Sequence, residues 1–154
     1  MPSTATRTRS TQLDYVASEL LPQAAVLTRL LVRQLGGELS RTEVGLLRTL
    51  NTGPRRITEL AELEGLAQPT ITIMIKRLEE QGLVTRTRQT GDGRVVLVDL
   101  TENGSDALEE YRGKVRAIVG GYLAEISDEQ VEALASATET LAQLVDVLQQ
   151  PIAR

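Results

Sequence analysis

The sequence predicts a mainly α fold (α+β): long helices at both ends of the chain and, between them, a run of short helices closed by one hairpin. Three observations predict it. Apolar residues recur at helical spacing over 13–35 and again over 108–148. Between these stretches, cap residues and glycine stops mark off helices much shorter than the flanking ones. At Leu83 the apolar period changes from 3.6 to 2 and holds to Val98 around an Asp-Gly turn.

Residues 1–10 have little apolar content and are expected to be mobile. In the first helix Leu13, Val16, Leu20, Ala24, Leu27, Leu31 and Leu35 are spaced 3, 4, 4, 3, 4 and 4, a heptad-like stripe. Pro22 predicts a kink or break near Leu21, and Gly36-Gly37 a stop. Ser40-Arg41-Thr42-Glu43 has the form of a capping box. It opens a helix carrying Val44, Leu47 and Leu50 that ends by Gly53-Pro54. Thr58 is expected to cap the next helix, whose apolar face is Leu60, Ala61 and Leu63 and whose end is Gly65. Pro69 suits a first helical position. The helix it starts, Pro69 to Gln81, sets Ile71, Ile75 and Leu78 on one face before Gly82.

Leu83 to Arg88 and Arg94 to Val98 read as strands joined by a loop over 89–93. Thr101 caps a helix with the stripe Leu108, Tyr111, Val115, Ile118, Tyr122 and Ile126. Its Gly113, Gly120 and Gly121 each cost about 1 kcal/mol of helix propensity; they are either tolerated weak spots or points of close helix–helix approach or a hinge. Ser127 to Gln130 is a second capping box. The last helix carries Val131, Leu134, Leu141, Val145 and Leu148, and Pro151 closes it.

Composition narrows the chemistry. The 154 residues fit one domain, or one and a half. There is no Cys and no His, which removes thiol and imidazole catalysis, disulfides, and zinc sites built on those residues. Glu79-Glu80 and Glu109-Glu110 read as solvated helix-surface acids, so no catalytic residue, metal or cofactor is expected. The only aromatics are Tyr15, Tyr111 and Tyr122, too few for a base-stacking platform. With no apolar signal segment and no run of about 18 apolar residues, a cytoplasmic protein with no membrane contact is expected.

The formal net charge of -4 is unevenly spread. From Gly82 to Val98 three arginines face one aspartate; from Asp99 to Gln150 three cations face eleven acids. Helix, turn, helix and then a basic hairpin is the order of a winged helix-turn-helix. A recognition helix of that kind fits the major groove of a duplex, and its hairpin reaches phosphates or the minor groove. The outer side of Pro69 to Gln81 offers Gln68, Thr70, Thr72, Ile73, Lys76 and Arg77. Gln68 and Thr70 suit base edges or phosphates near the helix N-terminus, and Lys76 and Arg77 suit phosphates. Ile73 is apolar on a face that should be wet: it either touches a thymine methyl or packs on the neighbouring helix. The hairpin adds Arg86, Arg88 and Arg94, with Asp92 as an orienting partner or a plain turn residue.

Several runs carry a resemblance: Ile57-Thr58-Glu59-Leu60-Ala61; Pro69-Thr70-Ile71-Thr72; Arg77-Leu78-Glu79-Glu80-Gln81-Gly82-Leu83-Val84-Thr85-Arg86; and Asp92-Gly93-Arg94 continuing through Leu100-Thr101-Glu102-Asn103-Gly104. Together they resemble the multiple antibiotic resistance regulator (MarR) family. The resemblance implies a homodimeric transcriptional regulator. Helices over 11–36 and 102–150 would form the dimerisation domain, and the winged module over 40–100 would bind a pseudo-palindromic double-stranded DNA operator. It puts the family's minor-groove arginine on Arg94, its wing aspartate on Asp92, and its wing-base arginine on Arg86. Recognition-helix contacts fall on Gln68, Thr70, Thr72 and Lys76. Gly93 stands where a second basic residue is frequent, which implies a looser wing grip. Ile73 stands where a polar or basic residue is frequent, which leaves the base sequence read open.

The resemblance further implies a repressor released by a small, often anionic aromatic effector held between the dimerisation helices and the winged module. Arg33, Arg48 and Tyr111 are the candidates to line that pocket; ion pairing for the arginines and core packing for Tyr111 are the competing roles. The stripes support the dimer independently, because burying each Leu or Val contributes about 1.5–3 kcal/mol. An internal three-helix bundle in a monomer is the other way to bury them. The alternative function is a helical protein–protein interaction module on a winged-helix scaffold.

Overall fold

The computed structural model describes residues 8–37, 39–88 and 96–149. Its elements are helices α1 (Arg9–Leu35) and α2 (Arg41–Leu50), strand β1 (Arg55–Arg56), helices α3 (Ile57–Glu64) and α4 (Gln68–Glu80), strands β2 (Val84–Arg88) and β3 (Val96–Leu100), and helices α5 (Glu102–Leu123) and α6 (Asp128–Gln149). The chain divides into two compact units, residues 1–114 and 115–154. The boundary falls inside α5. No helix among the described residues is long and apolar enough to cross a membrane.

The caps form where the sequence places them. The Ser40 hydroxyl accepts from the Glu43 N–H (3.3 Å), while the Glu43 carboxylate accepts from the Ser40 N–H (2.7 Å). Ser127 and Gln130 repeat the arrangement ahead of α6. The turn after α4 is a Schellman motif. Gly82 sits at φ 73°, its N–H bonds the Glu79 carbonyl, and the Leu83 N–H bonds the Leu78 carbonyl. Thr101 then knots the lobe: its hydroxyl donates to the Gly82 carbonyl (2.7 Å) and accepts from the Gly104 N–H (3.0 Å). A side chain at Gly104 would collide with the Leu83 carbonyl oxygen, so the close approach of α5 to this turn requires glycine.

Local expectations fail at several places. α1 runs on through Pro22, so the chain does not break near Leu21. α1 also starts earlier than expected, at Arg9, because the Thr8 hydroxyl caps it. Thr58 is not the cap of α3. Arg56 holds that position, and its N–H donates to the Glu59 carboxylate (2.7 Å), which does the capping. α4 begins one residue before Pro69. α5 ends at Leu123, before Ile126, as the following N–H groups tighten onto carbonyls three residues back. A Cβ added at Gly113, Gly120 or Gly121 would meet nothing within 4 Å, so among the described residues these glycines are not points of close approach.

The sheet has three strands, not two. β3 pairs with β2 along one edge and with the two-residue β1 along the other, antiparallel in both cases. Beneath it Leu46, Leu47 and Leu50 of α2, Leu60 of α3, Ile71, Ile75 and Leu78 of α4, Val84, Val98 and Leu108 form the buried core. The expected α4 face is thus the buried one.

Candidate nucleic-acid interface

Helical geometry decides which side chains α4 can offer. Ile71, Ile75 and Leu78 are completely buried, so residues half a turn away point outward. Gln68, Thr70, Ile73, Lys76 and Arg77 are exposed and Thr72 is half-buried. Ile73 is 71% exposed, which excludes its packing on the neighbouring helix. No acid lies in the first turn of α4; Glu79 and Glu80 stand at its C-terminal end. The positive end of the helix dipole therefore sits in a stretch free of acids, which suits phosphate. The Thr72 hydroxyl donates to the Gln68 carbonyl (2.9 Å) and keeps its lone pairs for a donor. Lys76 faces Glu80 at 3.7 Å with both side chains largely exposed, a pairing weak enough for a phosphate to replace.

Two of the predicted contact arginines do a second job. Arg77 Nε lies 3.4 Å from Glu43 Oε1, and Glu43 is only 1% exposed. The same carboxylate caps α2 through Ser40. Arg77 thus ties α4 to α2, and its cation offsets the cost of burying that carboxylate. Arg86 Nε lies 3.2 Å from Glu79 Oε2, joining β2 to the end of α4. Its buried Nη2 atom meets no hydrogen-bond acceptor among the described residues. Arg86 is accordingly set as a strut at the base of the wing.

The pairing register gives the direction of the wing. Arg86 lies opposite Val98 and Arg88 opposite Val96. Side chains alternate along a strand, so Arg86 and Arg88 emerge on the face of Val84 and Val98 that holds α4. Arg88, at the end of β2, is exposed. The predicted contacts Asp92 and Arg94 lie outside the described residues. Arg55, opposite Val98 on the far edge, completes a row of Arg55, Val98 and Arg86 across the sheet. Its guanidinium donates to the Pro54 carbonyl (2.9 Å) and the Thr52 hydroxyl (3.1 Å). Arg55, Arg56, Glu43 and Glu79 were not foreseen as part of this surface; the Arg-Arg pair after Pro54 was the available signal.

A cleft of about 620 Å³ lies beside the α4–β2 turn. Leu35, Leu39, Leu83 and Ala107 give it apolar walls; Gln81, Glu110, Tyr111 and Lys114 are its polar lining. Of the three expected pocket residues it brings in Tyr111, which also packs against the core. Arg33 and Arg48 are not among its walls. Arg33 is exposed on α1. Arg48 acts on Glu64, whose carboxyl is pushed up by burial and partly drawn back by that arginine. In the cleft Lys114 Nζ lies 2.6 Å from Glu110 Oε1, and this hydrogen bond and charge hold the Glu110 carboxyl below the usual range.

Comparison with known proteins agrees with this architecture. A family model described as MarR family matches residues 39–96. The chain is 33% identical over 94 residues to the HTH-type transcriptional repressor MdtR of Bacillus subtilis (strain 168), covering 61% of each chain. It is 33% identical over 127 residues to the uncharacterized HTH-type transcriptional regulator YwoH of the same organism, covering 79% of this chain and 92% of that one. Among solved structures, a MarR family protein from Bacillus stearothermophilus superposes with a TM-score of 0.72 at 25% identity, over 91% of this chain and 99% of the other. The matches to three of the curated relatives span 56–61% of each relative's length. Sequence match and winged architecture converge, and the chain belongs to the MarR family.

Proposed function

We propose that two copies of this chain form a cytoplasmic homodimer that reads a pseudo-palindromic double-stranded DNA operator and acts as a transcriptional repressor. No bond-making step is part of this function. The observation that carries it is the outward face of α4, which holds no acid before Glu79 and exposes Gln68, Thr70, Ile73, Lys76 and Arg77, with Arg88 exposed at the end of β2. Gln68, Thr70, Thr72 and Lys76 are its expected groove contacts, and Arg94 its minor-groove contact. The printed names of the relatives, a repressor among them, support the regulatory role.

The dimer is supported by apolar surface that stays open among the described residues. α1 has no buried residue along its length. Leu21 of α1 is 75% exposed and Leu148 of α6 is 74% exposed, with Leu13, Leu27, Leu134 and Leu141 also open. A second copy offers the same stripes for mutual burial. The cleft is the proposed effector site. An aromatic acid suits it by resting its ring on the leucines and exchanging with Glu110 for Lys114.

The experiment is selection of bound duplexes from a random pool, followed by titration of the selected duplex at rising salt. Counterion release predicts that log affinity falls with log salt by about 0.9 for each phosphate contacted. Lys76→Ala should weaken binding to all duplexes alike and reduce that slope by about 1. Affinity independent of salt, or an empty selection, refutes DNA binding.

A further inference from the structure

We infer that Ile73 reads the C5-methyl group of one thymine in each operator half-site. The inference rests on the proposed DNA-binding function and adds to it a base that this particular chain selects. Ile73 lies two residues from both Ile71 and Ile75, about 200° around the helix from each, and those two are completely buried. It therefore stands on the outermost ridge of α4. Among the described residues it is left open, the residue being 71% exposed.

Charge fixes which part of α4 a duplex can approach. Glu79 and Glu80 at the C-terminal end repel phosphates, while the first turn holds no acid. Ile73 lies within the favoured half, followed one turn later by Lys76. The neighbours differ in chemistry. Gln68, Thr70 and Thr72 carry donors and acceptors for base edges, whereas Ile73 can neither donate nor accept. In the major groove the thymine methyl is the largest apolar feature a side chain can meet; cytosine has only a hydrogen at the same ring carbon. An isoleucine in this position therefore selects T over C through contact area, with no hydrogen bond.

The test uses the full-length protein and a duplex selected from a random pool. Each thymine is replaced in turn by uracil, which deletes the methyl and leaves every hydrogen-bonding group in place. Wild-type protein should lose about fourfold in affinity at one thymine per half-site, the worth of one buried methyl group. Ile73→Ala should bind the thymine and uracil duplexes equally at that position. Indifference of the wild type to every uracil overturns the inference while leaving DNA binding intact. So does a uracil penalty of the same size in Ile73→Ala, which assigns the methyl to another residue. A selection that yields no duplex defeats the DNA-binding function itself, and this inference with it.

Discussion

The winged lobe and the long terminal helices are built from similar aliphatic residues and end in opposite states. In the lobe, Leu46, Leu47, Leu50, Leu60, Ile71, Ile75 and Leu78 are almost completely buried by one another. Along α1 no residue is buried, and the leucines of α6 are open to solvent. Periodicity was equally regular in both. The difference teaches that a helical apolar stripe says a face will be covered and not by what. Short helices joined by tight turns fold back and cover each other, whereas a single long helix cannot cover itself.

Four substitutions break or sharpen this comparison. Leu46→Ala removes a side chain buried on all sides and should cost about 2–5 kcal/mol of lobe stability in denaturant unfolding. Glu43→Gln removes the charge that Arg77 faces while keeping the cap geometry. It should cost about 1.5–3 kcal/mol, the range for a hydrogen-bonded charge, and should also weaken DNA binding if α4 is loosened. Nothing of that kind is expected at the ion pairs of Glu109 and Glu110 on α5, whose side chains are mostly in water. Leu141→Glu should spare the lobe and raise the dimer dissociation constant by at least about tenfold in sedimentation, as charge replaces apolar contact in both copies. Loss of lobe stability with unchanged association would show that α6 is covered from within the chain.

The smallest effect is at Glu64. Burial raises its carboxyl, so the folded lobe holds that proton more tightly than the unfolded chain does. Stability therefore declines as pH rises through the region just above the ordinary carboxylate range. Glu64→Gln should remove this slope, stabilising the lobe at neutral pH by up to about 0.5 kcal/mol, the scale of exposed electrostatics. At pH 3, where the carboxyl is protonated in both states, it should make no difference; unfolding at the two pH values checks this.

The legible parts of the interface were local. Ser40 and Glu43 announced their capping box, and Ile71, Ile75 and Leu78 announced which way α4 would turn. Gln68, Thr70, Lys76 and Ile73 followed as its outer residues. Strand β1 was illegible because two residues show no period, and its pairing depends on the free edge of β3. Arg77 and Arg86 were legible as cations near a reading surface. Their engagement with Glu43 and Glu79 was not, since no spacing rule joins a helix to a strand or to an earlier helix. The action of Arg48 on Glu64 was illegible for the same reason: Glu64 comes from another helix.

The residue string by itself determined the two capping boxes at Ser40 and Ser127, the Gly82 stop, the buried face of α4, the change to strand period and the chemistry excluded by the missing Cys and His. Each of these is settled within one or two turns of chain, by backbone hydrogen bonds and the period of side chains. Tertiary structure alone decided that Ile73 would stand bare, that two arginines would brace α4, and that Tyr111 would join Lys114 and Leu83 around a cleft. Those outcomes depend on which surfaces meet through space, and the energy of such a meeting belongs to both partners at once.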